Sequence, residues 1–186
     1  MKLQLEPNER DAGNKFESVI VGGVVPKEFI PGVERGVRAV WRSGRMGFPM
    51  VDTKVTLLDG AYHEIDSSAV AFEIAASWAM RNGATSADVR LLEPIMDIEV
   101  VSPGDFIGSV IGDLSRRRGQ ISSQEMRGSA TVIRADVPLA NLLGYKYDLS
   151  TNTNGLGHYF MRFRNYAEVP GWHGPDDFRP AGGMRA

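Results

Sequence analysis

The chain contains no cysteine, which removes a disulfide framework, a cysteine zinc ribbon and a thiol nucleophile together. No run of about 18 apolar residues occurs, and the opening MKLQLEPNER lacks the apolar stretch of a secretion signal. Neither a membrane span nor a leader is expected, and a cytoplasmic location is the simplest reading. Charge of one sign is also missing, with 21 Lys and Arg against 23 Asp and Glu and a formal net of -2. A phosphate backbone therefore feels no overall pull, and any RNA contact must come from local basic patches. There is no G-x-x-x-x-G-K-[ST] run, so the chain has no loop of that kind to cradle nucleotide phosphates. Internal repeats and low-complexity tracts are absent as well.

What is present is patterning for two small units in 186 residues. KLQLEP (2 to 7) alternates and stops at Pro7, and FESVIVGG (16 to 23) reads as a second strand. The pair predicts a β-hairpin. Phe29, Val33, Val37, Val40 and Trp41 then recur at helical spacing, predicting an amphipathic helix over 27 to 43. VDTKVTLL (51 to 58) reads as a strand, and SSAVAFEIAASWAMRNG as a largely buried helix ending at Gly83, with Trp41 and Trp78 as core residues. The small, polar NGATSADVR (82 to 90) marks a boundary. Beyond it, LLEPIMDIEVVSP, GDFIGSVIGDLSRR, QISSQEM, ATVIRADVP, LANLLGY and HYFMRFRNYAEV give the order β-α-β-β-α-β, a ferredoxin-like arrangement. The Gly- and Pro-rich residues 171 to 186 predict a flexible tail.

One stretch concentrates chemistry. LLDGAYHEIDSS (57 to 68) gathers Asp59, His63, Glu64 and Asp66, enough donors for a small metal-dependent or acid-base enzyme. Against that, no distant second histidine completes a ligand spacing, and a polar loop supplies no pocket to perturb a pKa. Asp59-Gly60 instead predicts a turn, with Asp66 foremost, then Ser67 or Ser68, capping the next helix. Arg116, Arg117 and Arg118 form the densest basic cluster. It suits either a solvated helix end or bidentate phosphate contacts. Arg162 and Arg164 alternate with Met161 and Phe163, placing both on one strand face.

The runs VIVGGVVPKEFIPGVERGV, FPMVDTKVTLLDGAYHEIDSSAVAFEIA, LLEPIMDIEVVSPGDFIGSVIGDLSRRRGQI and RADVPLANLLGY closely resemble the C-terminal part of bacterial elongation factor G. The similarity is nearly collinear over most of the chain. It implies an α+β protein of two α/β sandwich domains. Residues 1 to 88 are similar to domain IV, with a ribosomal-protein domain 2-like fold lacking its first strand and Gly-rich tip loop. Residues 89 to 170 are similar to the ferredoxin-like domain V.

The resemblance further implies ribosome binding during tRNA-mRNA translocation, with domain IV entering the decoding site and domain V near large-subunit ribosomal RNA. Tyr62, His63 and Glu64 would lie at a tip that meets mRNA and tRNA, and Arg116, Arg117 and Arg118 would face ribosomal RNA. The partners implied are the ribosome, its RNA, tRNA and mRNA, with no membrane and no DNA. No cofactor is expected in this chain, GTP and magnesium belonging to the parent family's GTPase domain, so the segment is not an enzyme by itself. The chain departs from the family pattern at Ala69, where DSSE is usual, at Leu156 in TNGL, and at Arg164-Asn165 in FRNY. Those departures fit a divergent paralogue, one dedicated to ribosome recycling being the alternative.

Overall fold

The computed structural model describes residues 1–44 and 46–172, so the tail beyond 172 lies outside the described residues. The chain divides into two compact units, Met1–Val89 and a second that begins at Arg90.

The first unit holds strands β1 (Lys2–Pro7), β2 (Lys15–Ser18) and β3 (Thr53–Asp59), and helices α1 (Ile30–Ser43) and α2 (Ala69–Ser86). The expected hairpin does not form. β3 lies between the other two, antiparallel to β1 (Leu5 opposite Val55) and parallel to β2 (Phe16 opposite Val55). Asp52 explains why. Its carboxylate accepts from the backbone N–H of Asp11 at 3.0 Å and of Gly13 at 2.8 Å, while its carbonyl accepts from Asn8 N at 2.7 Å. The polar link from β1 to β2 is thus wrapped around the start of β3 and cannot close as a tight turn.

Leu3, Leu5, Val55, Leu57 and Phe16 share one sheet face and pack with Val33, Val37, Val40 and Trp41 of α1 and Phe72, Ala76 and Met80 of α2. The helices approach closely because α1 offers glycine at the contact. A Cβ on Gly36 would stand 2.2 Å from the Glu73 carbonyl, and one on Gly32 would stand 2.6 Å from that of Ala69. Ser77 Oγ adds a hydrogen bond to the Gly36 carbonyl at 3.1 Å.

α2 is not buried all round. Its covered stripe is Phe72, Ala76, Met80 and Ala84, spaced four apart, whereas Val70, Ile74 and Trp78 are exposed, Trp78 at 68%. Apolarity around the whole helix hides this one-sided packing in the sequence, and Trp78 is no core residue. Nor does Gly83 end the helix. It lies inside α2, where a Cβ would meet Leu5 at 3.1 Å, so its smallness serves the contact with β1.

The second unit contains β4 (Leu92–Pro103), α3 (Ile107–Arg116), β5 (Gln120–Arg127), β6 (Ala130–Pro138), α4 (Tyr145–Asn152) and β7 (His158–Glu168). The sheet runs β5-β6-β4-β7, all neighbours antiparallel, the ferredoxin-like order read from the sequence. Ile98, Val100, Ile133 and Ala135 form the core face with Val110 and Leu114 of α3 and Tyr145 and Leu149 of α4. The second helix does not fall at LANLLGY, where the sequence places it. Leu139–Leu142 is instead a single 3-10 turn, and Gly144 at φ 76 redirects the chain into α4.

The opposite face carries charge. Asp97 and Asp136 are cross-strand neighbours, a repulsive arrangement that Arg162 and Arg164 of β7 neutralise at 2.7 and 2.5 Å. The register slips beside Arg164, between Ile95 and Met96 of β4. Both arginines lie on one face, as their alternation predicts.

Candidate nucleic-acid interface

The loop after β3 is built outward from a pinned base. Asp59 Oδ1 accepts from Gly60 N–H at 2.8 Å, but no turn forms at this pair: Asp59 ends β3 in extended backbone, and the chain turns later, at 64 to 66. Gly60 also permits contact with buried Val25, whose Cγ2 would stand 2.5 Å from any added Cβ. Tyr62 then stacks on Phe29, centroids 5.6 Å apart, and Phe29 stacks on Phe72 of α2 at 5.1 Å. Sequence reasoning does not single out Phe29 as a site residue. Its only sequence signal is an aromatic before a proline-led helix, which packing alone accounts for.

Past Tyr62 the chain turns outward. His63 N–H donates to Ser67 Oγ at 2.9 Å, and Ser67 N–H donates to the His63 carbonyl at 3.0 Å. This closed turn leaves side chains outside: His63 is 67% exposed, Asp66 80% and Ile65 86%, with Glu64 exposed too. Ser68, not Asp66, caps α2, its Oγ accepting from Ala71 N–H at 3.1 Å. A cap must immediately precede the first helical residue in extended backbone, and Ser68 at φ -145 does so. Asp66 instead faces His63, its Oδ2 3.6 Å from Nδ1. Among the described residues no group of three or more His, Cys, Asp or Glu could hold a metal ion. The metal-dependent reading of Asp59, His63, Glu64 and Asp66 thus has no ligand cluster behind it.

In the second unit the three consecutive arginines part ways at the end of α3. Gly119 N–H bonds the Leu114 carbonyl at 2.8 Å while Arg118 takes a left-handed φ of 62. This is a Schellman-type ending. A Cβ on Gly119 would stand 2.6 Å from that same carbonyl, which explains a glycine directly after the basic run.

Arg116 points outward, 76% exposed, with Nη2 2.7 Å from Asp113. Arg117 points in, only 14% exposed. It spans Asp113 at 2.9 Å, the Asn141 carbonyl at 2.6 Å and Asp148, and lies 5.1 Å over the Tyr145 ring. Burial works against its charge, but the two carboxylates outweigh burial and hold its proton more firmly than usual. Burial first, and Asp113 second, push the Tyr145 phenol far above its ordinary value. Arg118 pairs with Glu93 at 2.6 Å and is 43% exposed. The cluster therefore offers a ligand chiefly Arg116, then Arg118, with Arg117 spent on fixing α3 to α4. The sequence shows three equal arginines because their carboxylate partners are scattered from 93 to 148.

Among the described residues no helix is long and apolar enough to cross a membrane. Residues 1–88 match the family model for elongation factor G, domain IV, and residues 90–174 match that for the elongation factor G C-terminus. Elongation factor G of Rhodopseudomonas palustris (strain BisB18) is 55% identical over 91% of this chain, and that of Paracoccus denitrificans (strain Pd 1222) 53% identical over 91%. A crystal structure from Thermus thermophilus superposes with a TM-score of 0.83 at 40% identity, covering 91% of this chain and 25% of that one. The chain spans about a quarter of the length of the curated relatives it matches, 25% and 24%. With two models side by side along nearly all of it, the chain belongs to the elongation factor G family, as that protein's domain IV and C-terminal region.

Proposed function

We propose that this chain is the ribosome-binding portion of an elongation factor G-like translational GTPase, which promotes movement of tRNA and mRNA by inserting the first unit into the decoding site. The observation that carries this reading is the closed turn at His63. A polar tip with an outward imidazole, on a pinned base and without metal ligands, suits contact with nucleotides rather than chemistry of its own. An imidazole can stack on a base or donate to phosphate and 2′-hydroxyl oxygens. Tyr62 and Glu64 flank it, and Arg116, with Arg118 behind it, supplies the phosphate contact of the second unit to ribosomal RNA. Arg117 holds that end of α3 in place.

The role is mechanical. GTP and magnesium belong to the GTPase domain of the longer protein, and the segment by itself carries neither cofactor nor enzymatic activity. Its place of action is the cytoplasm. A recycling paralogue is the second reading, resting on the departures from the family pattern noted in the sequence, among them Arg164, which pairs with Asp136.

Binding of the chain to purified ribosomes across a salt series tests the proposal. Affinity that falls as salt rises, and falls further on His63→Ala, supports it; no binding at low salt overturns it.

A further inference from the structure

We infer that Tyr62 is a positioning residue, its ring stacked on Phe29 so that His63 is presented outward to RNA. The inference rests on the RNA-contact reading of His63 given above.

Burial cannot fix the tip, since His63, Ile65 and Asp66 are 67%, 86% and 80% exposed. The His63–Ser67 hydrogen bonds close the turn upon itself but do not tie it to the body. Two anchors remain on the approach. Gly60 rests on Val25, and Tyr62 rests on Phe29. Only the second lies next to His63. Tyr62 is 41% exposed, with a ring face given to Phe29, while the adjacent His63 stands clear. Phe29 occupies the 3-10 turn before α1 and stacks on Phe72 of α2, so the three rings tie the loop to both helices. Stacked rings resist tilting and sliding, because their quadrupoles favour a narrow set of offsets. A loop held this way loses less conformational freedom when it meets its target.

Four forms of the chain test this: Tyr62→Ala, Tyr62→Phe, His63→Ala and the Tyr62→Ala/His63→Ala double variant. Amide hydrogen exchange of the chain alone reports the loop. Ser67 N–H should exchange about fivefold faster in Tyr62→Ala and unchanged in Tyr62→Phe, since the ring and not the hydroxyl makes the contact. Binding to small ribosomal subunits programmed with mRNA and tRNA reports the consequence. Tyr62→Ala should weaken it about tenfold, Tyr62→Phe less than about twofold, and the double variant should be no weaker than His63→Ala alone.

Additive losses would show that Tyr62 touches RNA itself and would overturn the inference. So would unchanged Ser67 exchange in Tyr62→Ala. If exchange quickens while His63→Ala binds normally, the RNA reading of His63 has failed and positioning for RNA falls with it.

Discussion

His63 and Ser67 exchange two hydrogen bonds, the amide of each donating to an oxygen of the other. One is between backbones and the other ends on the serine hydroxyl, so a single atom separates a closed turn from a half-open one. Ser67→Ala should leave the unfolding midpoint nearly unchanged, because one exposed hydrogen bond contributes about 0.5 kcal/mol. It should still speed exchange of the His63 amide, measured by NMR. Ser67→Thr should restore protection.

Glycines on two helices should respond oppositely to alanine. Gly36→Ala drives a methyl to 2.2 Å from the Glu73 carbonyl and 2.9 Å from Ala76 Cβ, so α1 and α2 must part. Urea unfolding should show a loss of about 1–3 kcal/mol. Gly112 in α3 has nothing within 4 Å of an added Cβ, so Gly112→Ala should gain up to about 1 kcal/mol from helix propensity.

The three arginines should separate in the same denaturation assay. Arg117→Ala strips the 6% exposed Asp113 carboxylate of its most buried partner and should cost about 3–5 kcal/mol. Arg116→Ala removes a surface pair and should cost less than about 1 kcal/mol. In ribosome binding the order inverts for salt dependence. Arg116→Ala should reduce the slope of log affinity against log salt by about 1, while leaving the fold intact.

Glu17 gives the first unit an acid-side dependence. Hydrogen bonds from Lys15 and Lys54 hold its carboxyl below the ordinary 4.5. A depressed folded value means stability that is present above the unfolded pKa and lost as pH falls through the folded one. The unfolding midpoint should therefore decline as pH drops below 4.5. Glu17→Gln should flatten that part of the profile.

Much of the architecture is legible because alternation and helical spacing survive in the residues themselves. The order of the second unit can be read from Ile98, Val100, Val110, Leu114, Ile133 and Ala135, which repeat at the periods of the elements they build. What escapes depends on distant partners. Asp52 places β3 between β1 and β2, yet it hydrogen-bonds Asp11 and Gly13, 41 and 39 positions away, and nothing local marks it. α4 carries only Tyr145 and Leu149 on its buried face, too short a repeat to outweigh the more apolar LANLLGY before it. At the tip, His63 can be singled out because turns and caps do not explain an imidazole. Its support cannot, since Phe29 looks like any helix-leading aromatic and Ser67 like a spare cap.

On the function proposed above, the tip acts on RNA movement and not on nucleotide hydrolysis. Single-turnover translocation and GTP hydrolysis, measured side by side on an elongation factor G carrying this segment with His63→Ala, test it most directly. Translocation should slow about tenfold or more, with hydrolysis within about twofold of the parent. Equal loss of both rates, or no loss of translocation, would contradict it.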